Sequence, residues 1–245
     1  MRCPRRVRLV ATLLLAAGLV SSHAQDRFAS ERQRMMREIE RTQLAVSGET
    51  GLRALDPKVM AVMGRVERHR FVREGLQSEA YDNRPLPIGH GQTISQPYIV
   101  ALMTDLMQTK PGHRVLELGT GSGYQAAVLA ELVREVYTME IIEPLGKEAA
   151  ERLAQLGYRN VQVKVADGYY GWPEHAPFDS IIVTAAASHV PPALVRQLKP
   201  GGRMVLPVGT SFLTQHLMLV EKQADGSVMT RQILPVAFVP LTGSH

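Results

Sequence analysis

The stretch Val115-Leu116-Glu117-Leu118-Gly119-Thr120-Gly121-Ser122-Gly123-Tyr124-Gln125 combines residue types that suit a bound small molecule. An apolar strand carries an acid near its end, and three glycines at alternate positions lead into a helix. Glycine permits positive φ and lets a ligand approach backbone that a Cβ would shield. The free N–H groups at the start of the helix suit an anionic group. A dinucleotide fingerprint would place its third glycine at position 124, and Tyr124 stands there, which disfavours a nicotinamide dinucleotide and an oxidoreductase.

Two further acids follow later strands. Glu140 ends Tyr137-Thr138-Met139-Glu140, and Asp167 precedes Gly168 after Val161–Val165. Each acid alone has a second reading as a helix cap or turn former, Asp167 before Gly168 most of all. Together, Glu117, Glu140 and Asp167 after three successive strands would repel a pyrophosphate and favour a ligand with a cationic part, a ribose and an adenine. S-adenosylmethionine has those parts. The expected cofactor set is Glu117, Gly119, Thr120, Gly121, Gly123, Glu140, Asp167 and Gly168, with Glu143 instead capping or beginning the next helix.

The elements that must position these residues alternate. Strands are expected at Arg114–Leu118, Val136–Met139, Val161–Val165, Asp179–Val183 and Arg203–Val208, with helices at Tyr124–Leu132, Leu145–Leu156 and Pro192–Leu198 between them. Late strands at His216–Glu221 and Gln232–Phe238 flank an Asp225-Gly226 turn. This is the pattern of an α/β fold: a doubly wound, mainly parallel sheet of Rossmann-like type. Such sheets bind ligands beyond the carboxyl ends of their strands. Before it, Phe28 to Arg73 reads as a charged helical extension broken at Gly48–Gly51. Asp56-Pro57 marks a helix start, and the following methionines read as core filler. Tyr81 to Gln96 reads as loop and Pro97 opens a helix.

The 245 residues, 45% of them hydrophobic, suffice for one sizeable domain with an extension. Arg2, Arg5, Arg6 and Arg8 precede the apolar run Leu9–Val20, and Ser22-His23-Ala24 offers small residues for cleavage before Gln25. That is the order of a secretory signal. The expected boundaries are therefore 1–24 signal peptide, 25–82 helical extension and 83–245 catalytic domain. The apolar run falls well short of the ~20 residues a membrane span needs. Without the four leader arginines, the 28 basic residues fall to 24 against 23 acidic, so no basic excess argues for nucleic acid. Arg5-Arg6 also permits twin-arginine export, and Met35 or Met36 would begin a cytosolic protein instead. The single cysteine, Cys3, lies in the leader. His90 and His189 have no partner at metal-ligand spacing, so no metal is expected.

One polar loop sits directly upstream of the apolar helix: Leu86-Pro87-Ile88-Gly89-His90-Gly91-Gln92-Thr93-Ile94-Ser95-Gln96-Pro97. It resembles the signature of the protein-L-isoaspartate O-methyltransferases. So do Glu117–Gln125, Asp167-Gly168 with Gly171-Trp172, Lys199–Arg203, Leu206–Gly209 and Val239–Thr242, in family order from about Val59 onward. The resemblance implies methyl transfer from S-adenosylmethionine to the α-carboxylate of L-isoaspartyl residues in damaged proteins. It implies Ser95 as the key side chain, with Thr93 and Ile94 shaping the substrate pocket.

The chemistry fits that loop. A carboxylate with a pKa near ~4 is ionised at neutral pH and needs no general base. Neutral hydroxyls and backbone N–H groups orient its oxygens without the grip of a Lys or Arg. Ser95 and Thr93 also suit capping of the helix at Pro97, a role compatible with the catalytic one. Ala185-Ala186-Ala187 suits a wall near a peptide, and Trp172 either covers the cofactor or belongs to the core. Competing readings are methylation of another carboxylate and a non-catalytic binder of damaged proteins. A monomer is the default expectation. The leader argues for export, whereas family habit and cofactor supply argue for the cytoplasm.

Overall fold

The computed structural model describes residues 26–210 and 214–243; the leader, Gln25 and Cys3 lie outside them. Seven strands form the main sheet: β3 (Arg114–Leu118), β4 (Glu135–Glu140), β5 (Val161–Val165), β6 (Phe178–Val183), β7 (Leu198–Val208), β8 (Gln215–Lys222) and β9 (Val228–Val236). Their order is β5-β4-β3-β6-β7-β8-β9. The first five are parallel, and β8 and β9 append as an antiparallel meander. The chain runs outward from β3 through β4 to β5, then returns to place β6 on the other side of β3. That reversal opens a crevice beyond the carboxyl ends of β3 and β6.

Alternation along the parallel strands sends apolar side chains to both faces, as a sheet covered on both sides requires. Leu116, Leu118, Tyr137, Met139, Ile181 and Val183 build one core. Val115, Val136, Ile182 and Val205 build the other, with α4 (Pro97–Leu106) and α5 (Tyr124–Ala130). The second core also takes in Met35 and Ile39 of α1 (Ala29–Ala45), and Val59, Val62 and Met63 of α3 (Pro57–Arg65). Buried Met63 fills core as expected. The Asp56 carboxylate accepts from Lys58 N at 2.7 Å, capping α3 with Pro57 at its first position.

The helix breaks first at Val46, the C-cap of α1, just ahead of Gly48. A four-residue α2 (Ser47–Thr50) continues after α1, and Gly51 with φ 71° ends it. α6 (Glu143–Gln155) begins at Glu143, and α7 (Pro192–Gln197) precedes β7.

The expected loop from Tyr81 to Gln96 is instead a hairpin. β1 (Leu86–Gly89) pairs antiparallel with β2 (Gln92–Ile94), Leu86 opposite Ile94 and Pro87 opposite Thr93. Gly89, His90 and Gly91 make the turn, all with positive φ. Pro87 and the polar residues of β2 mask the strand pattern, since only Leu86, Ile88 and Ile94 are buried here.

Candidate active site

The glycine loop begins where β3 ends and is pinned from both neighbouring strands. Gly119 N and Thr120 N donate to Met139 O at 2.8 and 3.1 Å. Just past the end of β6, Thr184 N donates to Leu118 O, and the Thr184 hydroxyl lies 2.7 Å from Gly119 O. Gly119 has φ 93°, and a Cβ on it would stand 2.4 Å from Thr184 Oγ1. Glycine is therefore required here for both backbone conformation and space.

Glu140 closes the loop from β4. Its two oxygens accept from Gly121 N at 2.8 Å and Ile142 N at 2.9 Å. A carboxylate has about four acceptor sites, so lone pairs remain for a diol. Thr120 and Thr138 hydroxyls meet at 2.7 Å beside it.

The crevice is lined by Gly119, Thr120, Gly121, Glu140 and Gly168 on one side and by Thr93, Ile94 and Ser95 on the other. Eight of the eleven residues expected from sequence thus meet around one cavity. Three sit behind its wall. Gly123 packs on Leu153, which a Cβ would approach to 3.2 Å. The Asp167 carboxylate caps the following turn by accepting from Tyr169 N at 3.0 Å. Glu117 is fully buried, and neither carboxylate oxygen has a hydrogen-bond partner. Burial pushes its pKa up to about 8; the Thr138 hydroxyl pulls it back and the Glu140 charge adds to the rise.

A second groove adjoins the first, formed by Pro85, Gln96, Ile99 and Pro235–Val239, with Thr93, Ser95, Thr184 and Val239 shared between the two. Ser95 therefore stands where the two spaces meet. It does not cap α4. The N-cap position is Gln96, without a side-chain cap, and Asn83 Oδ1 instead accepts from Tyr98 N at 3.0 Å.

Sequence reasoning missed Thr184, and it marked Val239–Thr242 as a family match without seeing that this tail closes the site. Ala186 N donates to Val239 O at 2.8 Å and Leu241 N to Ala186 O at 2.7 Å, so Val239–Thr242 form a wall of the cavity. The small Ala185–Ala187 segment is the hub of this closure. Trp172 belongs to the core, edge-on to Tyr137. His90 is exposed, and His189 bonds Tyr169 and Ser188. Among the described residues no cluster of His, Cys, Asp and Glu could hold a metal.

The family described as protein-L-isoaspartate(D-aspartate) O-methyltransferase matches residues 40–245. The chain belongs to this family. It is 65% identical over 237 residues to protein-L-isoaspartate O-methyltransferase 1 of Cupriavidus necator, covering 97% of this chain and 92% of that protein. Identity to protein-L-isoaspartate O-methyltransferase 2 of Syntrophobacter fumaroxidans is 60%, over 97% of this chain and 96% of that protein. A solved protein-L-isoaspartate O-methyltransferase superposes with TM-score 0.76 at 27% identity, covering 86% of this chain and 66% of that one. A Plasmodium falciparum structure described as a beta-aspartate methyltransferase in complex with S-adenosyl-L-homocysteine gives TM-score 0.72 at 25% identity, covering 86% and 98%.

The residues present fit the family's cofactor. The cradle at Gly119 excludes a side chain, Glu140 keeps acceptors for a ribose, and the orphaned Glu117 carboxyl suits a cation-bearing ligand.

Proposed function

We propose that this enzyme transfers a methyl group from S-adenosylmethionine to the α-carboxylate of L-isoaspartyl residues in damaged proteins. The observation that carries the reading is the meeting of the two spaces at Ser95 and Thr93, inside a chain of this family. S-adenosylmethionine, when bound, supplies an electrophilic methyl group on a sulfonium. We assign its binding to Glu117, Gly119, Thr120, Gly121, Gly123, Glu140, Asp167 and Gly168. Glu117, Gly123 and Asp167 act from behind the wall, through charge or by fixing the loop.

The chain's own task is to hold an already ionised carboxylate in line with that methyl group. Ser95 orients its oxygens, with Thr93 beside it and Ile94 shaping the floor. Neutral hydroxyls donate hydrogen bonds without drawing off as much nucleophilicity as a cation would. Positioning two reactants and excluding water can lower a barrier by ~7–11 kcal/mol. The Val239–Thr242 wall contributes to that exclusion. We further assign the site to 83–245, with the segment 25–82 bracing it. The Tyr98 hydroxyl of α4 donates to Gln43 Oε1 of α1 at 3.1 Å, which supports the brace.

The methyl ester so formed collapses to a succinimide, whose hydrolysis returns part of the material to normal aspartate. The test follows that outcome by chromatography. An isoaspartyl peptide should convert partly to its aspartyl form only with enzyme and S-adenosylmethionine together. Unchanged peptide after prolonged incubation would overturn the reading.

A further inference from the structure

Two carboxyl groups flank the glycine loop, Glu140 in the cavity lining and Glu117 behind it, and the fold treats them oppositely. Glu140, at the end of β4, receives two backbone N–H groups. Glu117, one strand away on β3, receives none and is sealed from solvent. A buried carboxylate without hydrogen bonds or a counter-charge is costly, so such a group takes up a proton instead.

The surroundings offer it no cation. Glu117 pairs with Thr138 on β4 and with Ile182 on β6. The Thr138 hydroxyl meets that of Thr120 at 2.7 Å and pulls the Glu117 pKa down without offsetting its burial. The titratable groups in the cavity lining are Glu140 and, at the head of α5, Tyr124, over whose ring the Arg68 guanidinium lies at 4.9 Å. Lys, Arg and His are absent from that lining. Among the described residues, only Thr138 and Glu140 act on Glu117 from within the protein. A positive charge to match its ionised form would come from a ligand in the adjoining cavity, and the aminocarboxypropyl chain of the cofactor carries an ammonium.

Resting on the cofactor assignment above, we propose that Glu117 is neutral in the cofactor-free enzyme and gives up its proton when the cofactor binds. The carboxyl O–H breaks, the electron pair stays on Glu117 as carboxylate, and the proton passes to solvent. Binding is thereby coupled to release of about one proton near pH 7. The carboxylate is created only when a cation is present to match it. The protein is spared an unpaired buried charge in the empty state.

Isothermal calorimetry in buffers of different ionisation enthalpy counts that proton directly. S-adenosylhomocysteine is the probe, since it keeps the ammonium and cannot react. The ligand's own amino group titrates identically with any form of the enzyme, so the comparison is with Glu117→Gln, a neutral isostere. At pH 7 wild type should release close to one proton more than the variant. From pH 5.5 to 7.5 its affinity should gain up to about tenfold per pH unit over the variant's.

A control needs no variant. 5′-Methylthioadenosine lacks the ammonium and should bind wild type without releasing a proton. Equal proton counts for wild type and variant, or for the two ligands on wild type, would overturn the proposal while leaving the cofactor assignment standing. Failure of S-adenosylhomocysteine to bind would overturn both.

Discussion

Asn83 Oδ1 accepts a hydrogen bond from Tyr98 N at 3.0 Å, so the helix that follows the hairpin is capped from fifteen residues away. Gln96 Nε2 returns to Asn83 O at 2.9 Å, tying the same two segments. This frees Ser95, the obvious local cap, to face the junction of the two cavities. Removing the donated cap should cost about 1 kcal/mol. For a chain of this size, Asn83→Ala should lower Tm by ~2–4 °C in a thermal melt.

Ser95→Ala should leave S-adenosylhomocysteine affinity within about twofold and lower kcat on an isoaspartyl peptide by ~10–100-fold, in line with loss of one orienting hydrogen bond. Calorimetry and steady-state kinetics on the same preparation separate the two effects. Equal losses in both would show that Ser95 only supports the fold.

Gly119→Ala should abolish cofactor binding. The new Cβ would meet Thr184 Oγ1 at 2.4 Å, in a backbone conformation that costs an L-residue roughly 1–2 kcal/mol. Adding Thr184→Ala removes the collision and leaves the strained φ. The double variant should recover binding only in part, measured by titration with S-adenosylhomocysteine.

Glu117 also predicts a pH dependence of stability. Burial raises its folded pKa from the ordinary 4.5 to about 8. The folded state thus holds the proton more tightly than the unfolded chain. The protonated form's stability is fully present below about pH 4.5 and is lost progressively as pH rises through about 8. Without cofactor, Glu117→Gln should therefore be more stable than wild type at pH 8–9, by an amount on the order of a few kcal/mol, and the gap should close towards pH 5. Thermal melts across that range test the sign.

The parallel sheet and its loop were legible because they rest on local signals. Val161–Val165 is β5 as expected, and the strand–glycine–helix order around Gly119 survived intact. What escaped depends on contacts distant in sequence. The hairpin at Leu86–Ile94 is built from two short strands containing proline and hydroxyl residues, whose pairing shows only in three dimensions. The Ala186 bonds to Val239 and Leu241 link segments some fifty residues apart through backbone groups, which carry no sequence signature. Counting acids at strand ends singled out Glu117, Glu140 and Asp167, of which the structure puts Glu140 alone in the cavity lining. The count could not tell that the first is sealed and unpartnered while the second is doubly bonded.

The most direct test of the central claim uses labelled S-adenosylmethionine and two peptides that differ only in isoaspartate versus aspartate at one position. Base-labile methyl incorporation into the isoaspartyl peptide alone is the predicted result. Incorporation into neither peptide, by enzyme that still binds S-adenosylhomocysteine, would contradict the account and leave a methyltransferase pocket whose substrate is some other acid.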